Sequence, residues 1–120
     1  MKDVMHKKIV TTIRAIPHGK VSTYGAIARA AGFPGAARQV ASTLHRSFGL
    51  PWQRVVGSGG EIKLRGDSAI EQRLRLEAEG VAFRGRRVDM KRFEFQFPRA
   101  KSTYKKPAGK KSRKKSRKRA

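Results

Sequence analysis

Leu50-Pro51-Trp52-Gln53-Arg54-Val55-Val56-Gly57 is the stretch on which the reading of this chain turns. After Pro51, the short β-branched run Arg54 to Val56 reads as a buried strand or extended segment, and Gly57-Ser58-Gly59-Gly60 as the turn that follows it. At its centre stands Trp52, the only tryptophan, in a chain that has no cysteine at all. An indole offers no thiolate, so nothing in this stretch can act as a sulfur nucleophile or a thiolate metal ligand.

Upstream the pattern is helical. Met5, Ile9, Ile13 and Ile16 recur at spacings of four, four and three, a helical stripe opened by Asp3 as N-cap and closed before Pro17. Pro17-His18-Gly19 makes a turn. A second helix runs from Tyr24 to Ala31, with Ser22 or Thr23 as its cap and Gly32 as its left-handed stop. After Phe33-Pro34-Gly35 a third helix spans about Ala36 to Arg46, with Val40 and Leu44 inward. Two short helices joined by a tight glycine-containing turn read as a helix-turn-helix unit. The second member pairs polar Arg38, Gln39, Ser42, Thr43 and Arg46 with alanines at 36, 37 and 41, and such small residues allow close approach to another backbone.

Downstream, Glu61-Ile62-Lys63-Leu64 alternates as a strand should. Ser68-Ala69-Ile70-Glu71 has the capping-box form and opens a fourth helix through Leu74, Leu76 and Ala78, with Gly80 as its stop. Val81 and Phe83 follow. Phe93, Phe95 and Phe97 alternate with Glu94 and Gln96, which predicts either an exposed-edge strand covering the core or an ordered C-terminal extension.

The charge narrows the class of partner. Thirty Lys and Arg face eight acidic residues, a formal charge of +22. Residues 101–120 hold eleven basic and no acidic residues, which leaves nineteen against eight, or +11, for residues 1–100. The organisation expected is therefore one domain over 1–100 and a Lys/Arg-rich tail over 101–120, too poor in apolar side chains to offset the entropy of ordering. Such an excess costs stability by self-repulsion, and a polyanion relieves it. His6, His18 and His45 are too scattered for a metal site, no apolar run reaches the ~20 residues of a membrane helix, and the N-terminus lacks a signal core. A nucleic-acid-binding protein without metal or cofactor, acting as a monomer away from membranes, is the expectation: cytoplasmic and nucleoid-associated in a bacterium, nuclear in a eukaryote.

Three blocks in register carry a more specific likeness. Val21-Ser22-Thr23-Tyr24-Gly25, Ala36-Ala37-Arg38-Gln39-Val40 and Pro51-Trp52-Gln53-Arg54-Val55-Val56, with Arg38 fourteen positions after Tyr24, resemble the DNA-binding domain of the O6-alkylguanine-DNA alkyltransferases over roughly residues 4–83. Glu79-Gly80-Val81 is similar to the end of that domain's last block. In the family a Pro-Cys-His-Arg-Val signature holds the cysteine that accepts the alkyl group; Trp52 and Gln53 occupy the cysteine and histidine positions here. The chain therefore looks like the non-catalytic alkyltransferase-like group.

That resemblance implies a mostly helical α+β fold of winged helix-turn-helix type. It also implies that double-stranded DNA carrying O6-alkylguanine is bound from the minor groove, its lesion flipped but not dealkylated and flagged to nucleotide excision repair proteins. By position Tyr24 takes the role of rotating the target phosphate, and Arg38 that of the arginine finger filling the vacated stack. Ser22, Thr23, Tyr24, Ala37, Arg38, Gln39 and Ser42 are the expected DNA contacts, and Tyr24, Pro51, Trp52, Val55 and Arg65 the expected lesion pocket. Gln53 cannot relay a proton as the family's histidine does, which leaves Glu79 a structural partner for Arg54 or for helix-end backbone groups. Arg65, thirteen positions after Trp52, is either a cation over the bound base or an ordinary loop arginine. The family's Asn-Pro brace is missing from His45-Arg46-Ser47-Phe48-Gly49-Leu50, and Ser47 is the candidate substitute. Two rivals stand beside this reading: a residual enzyme using the same pocket, and an architectural DNA binder whose pocket is vestigial.

Overall fold

A computed structural model of the chain describes residues 2–98; the Lys/Arg-rich tail expected over 101–120 lies outside the described residues. The first helix, α1 (Lys2–Arg14), packs Ile9 and Ile13 into the core with no exposed surface, and Ile16 joins them just beyond its end. The expected cap Asp3 falls inside the helix, which starts one residue earlier. Past Arg14 the chain tightens, Ala15 N–H reaching the Thr11 and Thr12 carbonyls, and Pro17 then breaks the ladder.

Strand β1 (Ser22–Thr23) delivers the chain into α2 (Tyr24–Ala30). Thr23 is the cap: its Oγ1 accepts the Ala26 N–H at 3.0 Å. Ala31 and then Gly32, at φ +97°, close α2, with Phe33 N–H bonded back to the Ala28 carbonyl at 2.8 Å. The third helix, α3 (Ala37–Arg46), lies against α2 and α1 through Val40, with Ile27, Ala28, Ala31 and Ala36 filling between them. This is the helix-turn-helix unit that the sequence predicts.

The quoted stretch becomes a single 3-10 turn (Trp52–Arg54) that opens into β2 (Val55–Val56). Strand β2 runs parallel to β1 in the register Ser22↔Val55 and Thr23↔Val56. A parallel pair needs a long crossover; here α2 and α3 are that crossover, so the start of the helix-turn-helix is tied directly to the Trp52 turn. Beyond a second 3-10 turn (Ser58–Gly60), α4 (Gly66–Ala78) buries Leu76 and Gln72. A hairpin of β3 (Phe83–Arg84) and β4 (Arg87–Val88) forms the wing, and the short helix α5 (Met90–Phe93) completes a second core cluster of Val21, Val56, Leu76, Val81 and Val88.

Two local expectations are corrected, and a third is decided between its alternatives. Ser68 is not the cap of α4, because the helix already starts at Gly66 with Arg65 in the cap position and no side-chain bond there. The helix itself is as read, with Leu76 buried and Leu74 60% exposed on the other side. Glu61–Leu64 does not form a strand; one bridge, Glu61↔Arg87, is all that pairs. For Phe93–Phe97 the ordered extension holds and the strand does not: Val21 N–H bonds to the Phe93 carbonyl at 2.9 Å and Phe95 N–H to the Val21 carbonyl at 2.7 Å. Phe95 and Phe97 then pack edge to face, 4.9 Å apart, against the first cluster.

Candidate nucleic-acid interface

On α3 the helical period separates two faces. Val40 and Thr43 are buried, while Arg38, Gln39 and Ser42 are exposed and Ala37 is half-buried beside them. Arg38 is the helix's second residue, so it projects from the end nearest the turn after α2. The half-buried Thr23 caps α2 and keeps a hydroxyl hydrogen to donate. Ser22 differs from expectation: it has no accessible surface, and its hydroxyl finds no partner among the described residues, so its place is inside β1 and not at a DNA surface.

Next to α3 opens a small pocket of about 230 Å³, lined by Tyr24, Ala41, Leu44, His45, Trp52, Val55, Leu64 and Ser68. Tyr24, Trp52 and Val55 are thus brought together as expected. Burial pushes the Tyr24 phenol above its ordinary pKa, so it stays a neutral donor at physiological pH. Pro51 and Arg65 are not in this lining. Pro51 is half-buried and borders a separate basic cleft with Arg14, Arg54 and Arg75. Arg65 is exposed, one residue past the lining Leu64.

Sequence reasoning missed His45, Leu64 and Ser68 as lining residues, along with Ala41 and Leu44. The last two carry a signal, since Ala41, Leu44 and His45 share one face of α3 at three- and four-residue spacing. Ser68 comes from the first turn of α4, which packs against the Trp52 turn, and Leu64 from the segment just before that helix. Arg75 was also missed: its guanidinium lies 5.5 Å from the centre of the Trp52 ring and steadies the indole from the α4 side.

Behind the pocket, polar side chains hold the Trp52 turn in place. The Glu79 carboxylate accepts from the Gly19 N–H at 2.8 Å, from Gln53 Nε2 at 2.8 Å and from Arg54 Nε at 3.0 Å. Arg54 Nη1 also donates to the Ile16 carbonyl at 3.0 Å. Glu79 is thereby the structural partner of Arg54 that the sequence suggests. Burial pushes its carboxyl upward, but the bonds from Arg54, Gly19 and Gln53 and the guanidinium charge outweigh this and hold it below the usual carboxylate range. The buried Gln72 donates its amide to the carbonyls of Gln53, at 3.1 Å, and Val55, at 2.8 Å. Ser47 makes no such bond, its Oγ being without a partner among the described residues, so Gln72 rather than Ser47 braces the loop. Among the described residues no cluster of three or more His, Asp or Glu could hold a metal ion, and no helix is long and apolar enough to cross a membrane.

Comparison with known proteins agrees with this geometry. Residues 4–81 match the family described as the DNA binding domain of 6-O-methylguanine DNA methyltransferase. Alkyltransferase-like protein 1 of Schizosaccharomyces pombe is 49% identical over 84 residues, covering 66% of this chain and 78% of that protein. The DNA base-flipping protein of Escherichia coli is 40% identical over 100 residues, 80% of this chain and 78% of its own length. Among solved structures, S. pombe Atl1 in complex with damaged DNA containing O6-carboxymethylguanine superimposes with a TM-score of 0.68 at 34% identity, over 78% of this chain and 96% of that one. Mycobacterium tuberculosis OGT in complex with DNA matches with a TM-score of 0.56 at 31% identity, over 62% of this chain but only 48% of that one. The matched range, the identity to relatives covered over most of their length and the shared fold agree: the chain belongs to the family of the 6-O-methylguanine DNA methyltransferase DNA-binding domain.

Proposed function

We propose that this chain reads O6-alkylguanine in duplex DNA: it docks α3 in the minor groove, turns the damaged base out, and holds it against Trp52 without removing the alkyl group. The observation that carries this reading is the pocket wall. Trp52 lines the pocket, the resemblance gives it the position of the family's acceptor cysteine, and the sequence has no cysteine that could replace it. Trp52 presents an apolar face to an O6-alkyl substituent, and Tyr24 supplies a neutral hydroxyl at the same pocket. Arg38 is the residue we assign to the vacated stack, since a flat guanidinium stacks and hydrogen-bonds where an ammonium does not. Arg65 is assigned the outer edge, as a cation over the bound base. The likeness to a relative solved on DNA containing O6-carboxymethylguanine supports the class of lesion.

A protein that binds without reacting leaves the lesion for others. A persistent, distorted complex is then a flag for nucleotide excision repair proteins, formed where the DNA is: on the bacterial nucleoid, or in the nucleus of a eukaryote.

The deciding experiment incubates the full chain with duplex carrying radiolabelled O6-methylguanine and measures both binding and transfer. Tighter binding than to unmodified duplex, with no label on the protein after denaturing electrophoresis, is the expected result. Label on the protein would make it an enzyme. Equal binding to both duplexes, at low and high salt alike, would make it an architectural binder.

A further inference from the structure

A second concavity, of about 690 Å³ against about 230 Å³ for the lesion pocket, lies between α4 and the β3–β4 hairpin. Ile62, Leu64, Ile70 and Leu74 supply its apolar lining. Ile70 and Leu74 are one helical turn apart on one face of α4, and they are 61% and 60% exposed. The opposite face of the same helix buries Gln72 and Leu76. The core therefore has no use for Ile70 and Leu74, and they stand together as an unpartnered apolar strip.

The charges around this strip are lopsided. The two glutamates in the lining are matched already, Glu77 by Arg73 at 3.1 Å and Glu61 by Lys63 at 3.7 Å. No carboxylate among the described residues lies within 4.0 Å of Arg84, Arg86 or Arg87 on the hairpin. Arg84 and Arg87 moreover stand directly opposite each other in the hairpin register. Like charges in that position repel across the ladder. A hairpin that keeps such a pair, with a third arginine in its turn, is suited to an anion.

We propose that this groove docks an acidic amphipathic helix of another protein, its apolar side chains on Ile70 and Leu74 and its carboxylates on the hairpin arginines. A phosphate backbone would satisfy the arginines but would leave the apolar strip wet. A second copy of this chain brings a charge of +22, and residues 101–120 bring eleven basic and no acidic residues, so neither complements the hairpin. The occupant is thus foreign and acidic. Leu64 also lines the lesion pocket, so the docked helix touches a wall of that site. The groove does not depend on the lesion reading and stands or falls separately.

The probe is a fluorescein-labelled synthetic helix with leucines on one face and glutamates on the other. A peptide of identical composition, scrambled to destroy the apolar face, controls for attraction to a basic protein. Anisotropy titration of the full chain should favour the amphipathic peptide by roughly tenfold. Ile70→Ser/Leu74→Ser should erase that preference; both side chains are exposed, and circular dichroism checks that the fold persists. Arg84→Glu/Arg86→Glu should weaken both peptides. The serine variant should bind duplex DNA as wild type does. Equal binding of the two peptides by wild type, or a preference that survives in the serine variant, would overturn the proposal. So would a loss of duplex affinity in that variant as large as its loss of peptide affinity, which would make the groove part of the DNA interface.

Discussion

Arg38 is exposed on α3 between Ala37, half-buried, and Gln39, exposed, and nothing in the fold requires a guanidinium there. Flipping a base costs a few kcal/mol in lost stacking and pairing, and a side chain that fills the gap offsets part of that. An arginine that only meets one phosphate weakens all duplexes alike and lowers the salt slope by about one. Arg38→Ala should therefore diminish the fluorescence rise of 2-aminopurine placed at the target position, whereas Arg117→Ala should not. Equal responses from wild type and Arg38→Ala would reduce Arg38 to one charge among many. Glu79 can be tested without DNA. Its carboxyl titrates below the usual range in the fold, so its contribution to stability is complete above the unfolded value of about 4.3 and is lost as pH falls through the folded value. Glu79→Gln leaves the Arg54 side chain, 17% exposed, without its counter-charge. It should lower stability at neutral pH by about 3 kcal/mol and flatten the acid limb of a urea-denaturation series; an unchanged acid limb would remove Glu79 from the account. The sequence made Tyr24, Trp52 and Val55 legible as pocket residues because they fall in spaced blocks. Leu64, Ser68 and Arg75 carry no such mark. They reach the site only through the packing of α4 and the segment before it on the Trp52 turn, which no local pattern encodes.

The same division holds for the elements. The three helices before Trp52 could be read within a residue or two because each carries a local signal: the four-, four- and three-residue apolar spacing before Pro17 for the first, a Ser/Thr cap and the Gly32 stop for the second, and the inward pair Val40 and Leu44 for the third. Short strands could not be read so well. β1 and β2 are two residues each, and their parallel pairing is decided by how α2 and α3 pack, not by alternation along either strand. Ile62 and Leu64 alternate like a strand yet face a surface groove, and the hairpin at Phe83–Val88 hides in a run of arginines. Gly60 tests how tightly these pieces fit. It sits at φ +89°, and an added Cβ would meet the Val88 carbonyl oxygen at 2.5 Å and the Val88 nitrogen at 2.9 Å, both backbone atoms that cannot swing away. Gly32, at φ +97°, has nothing within 4 Å of the same position. Gly60→Ala should thus cost more than the roughly 1–3 kcal/mol of backbone strain that Gly32→Ala alone would incur. Each kcal/mol lowers the melting temperature of a domain this size by roughly 4–8 °C. Equal melting temperatures for the two variants would mean that the hairpin moves away from the Ser58–Gly60 turn at no cost.

At the scale of the whole molecule the charge divides into two parts that salt can separate. Residues 1–100 carry +11 and residues 101–120 another eleven positive charges, with no carboxylate among the latter. Every lysine or arginine that neutralises a phosphate releases counterions, and the logarithm of affinity falls with the logarithm of salt by about 0.9 per contact. In the proposed complex a flipped base held against Trp52 and Tyr24 would release few ions, because its contacts would be apolar and hydrogen-bonded. Preference for the lesion should therefore persist as salt rises, while affinity for any duplex falls. Deleting residues 101–120 separates the two contributions. The shortened protein should bind damaged and undamaged duplex more weakly and with a flatter salt dependence, but the ratio of the two affinities should hardly change. Parallel titrations of both proteins at two salt concentrations measure that ratio directly. If deletion abolished the preference, the basic tail would itself have to touch the lesion or hold the flipped state, and discrimination could no longer be placed in the pocket between α3 and the Trp52 turn.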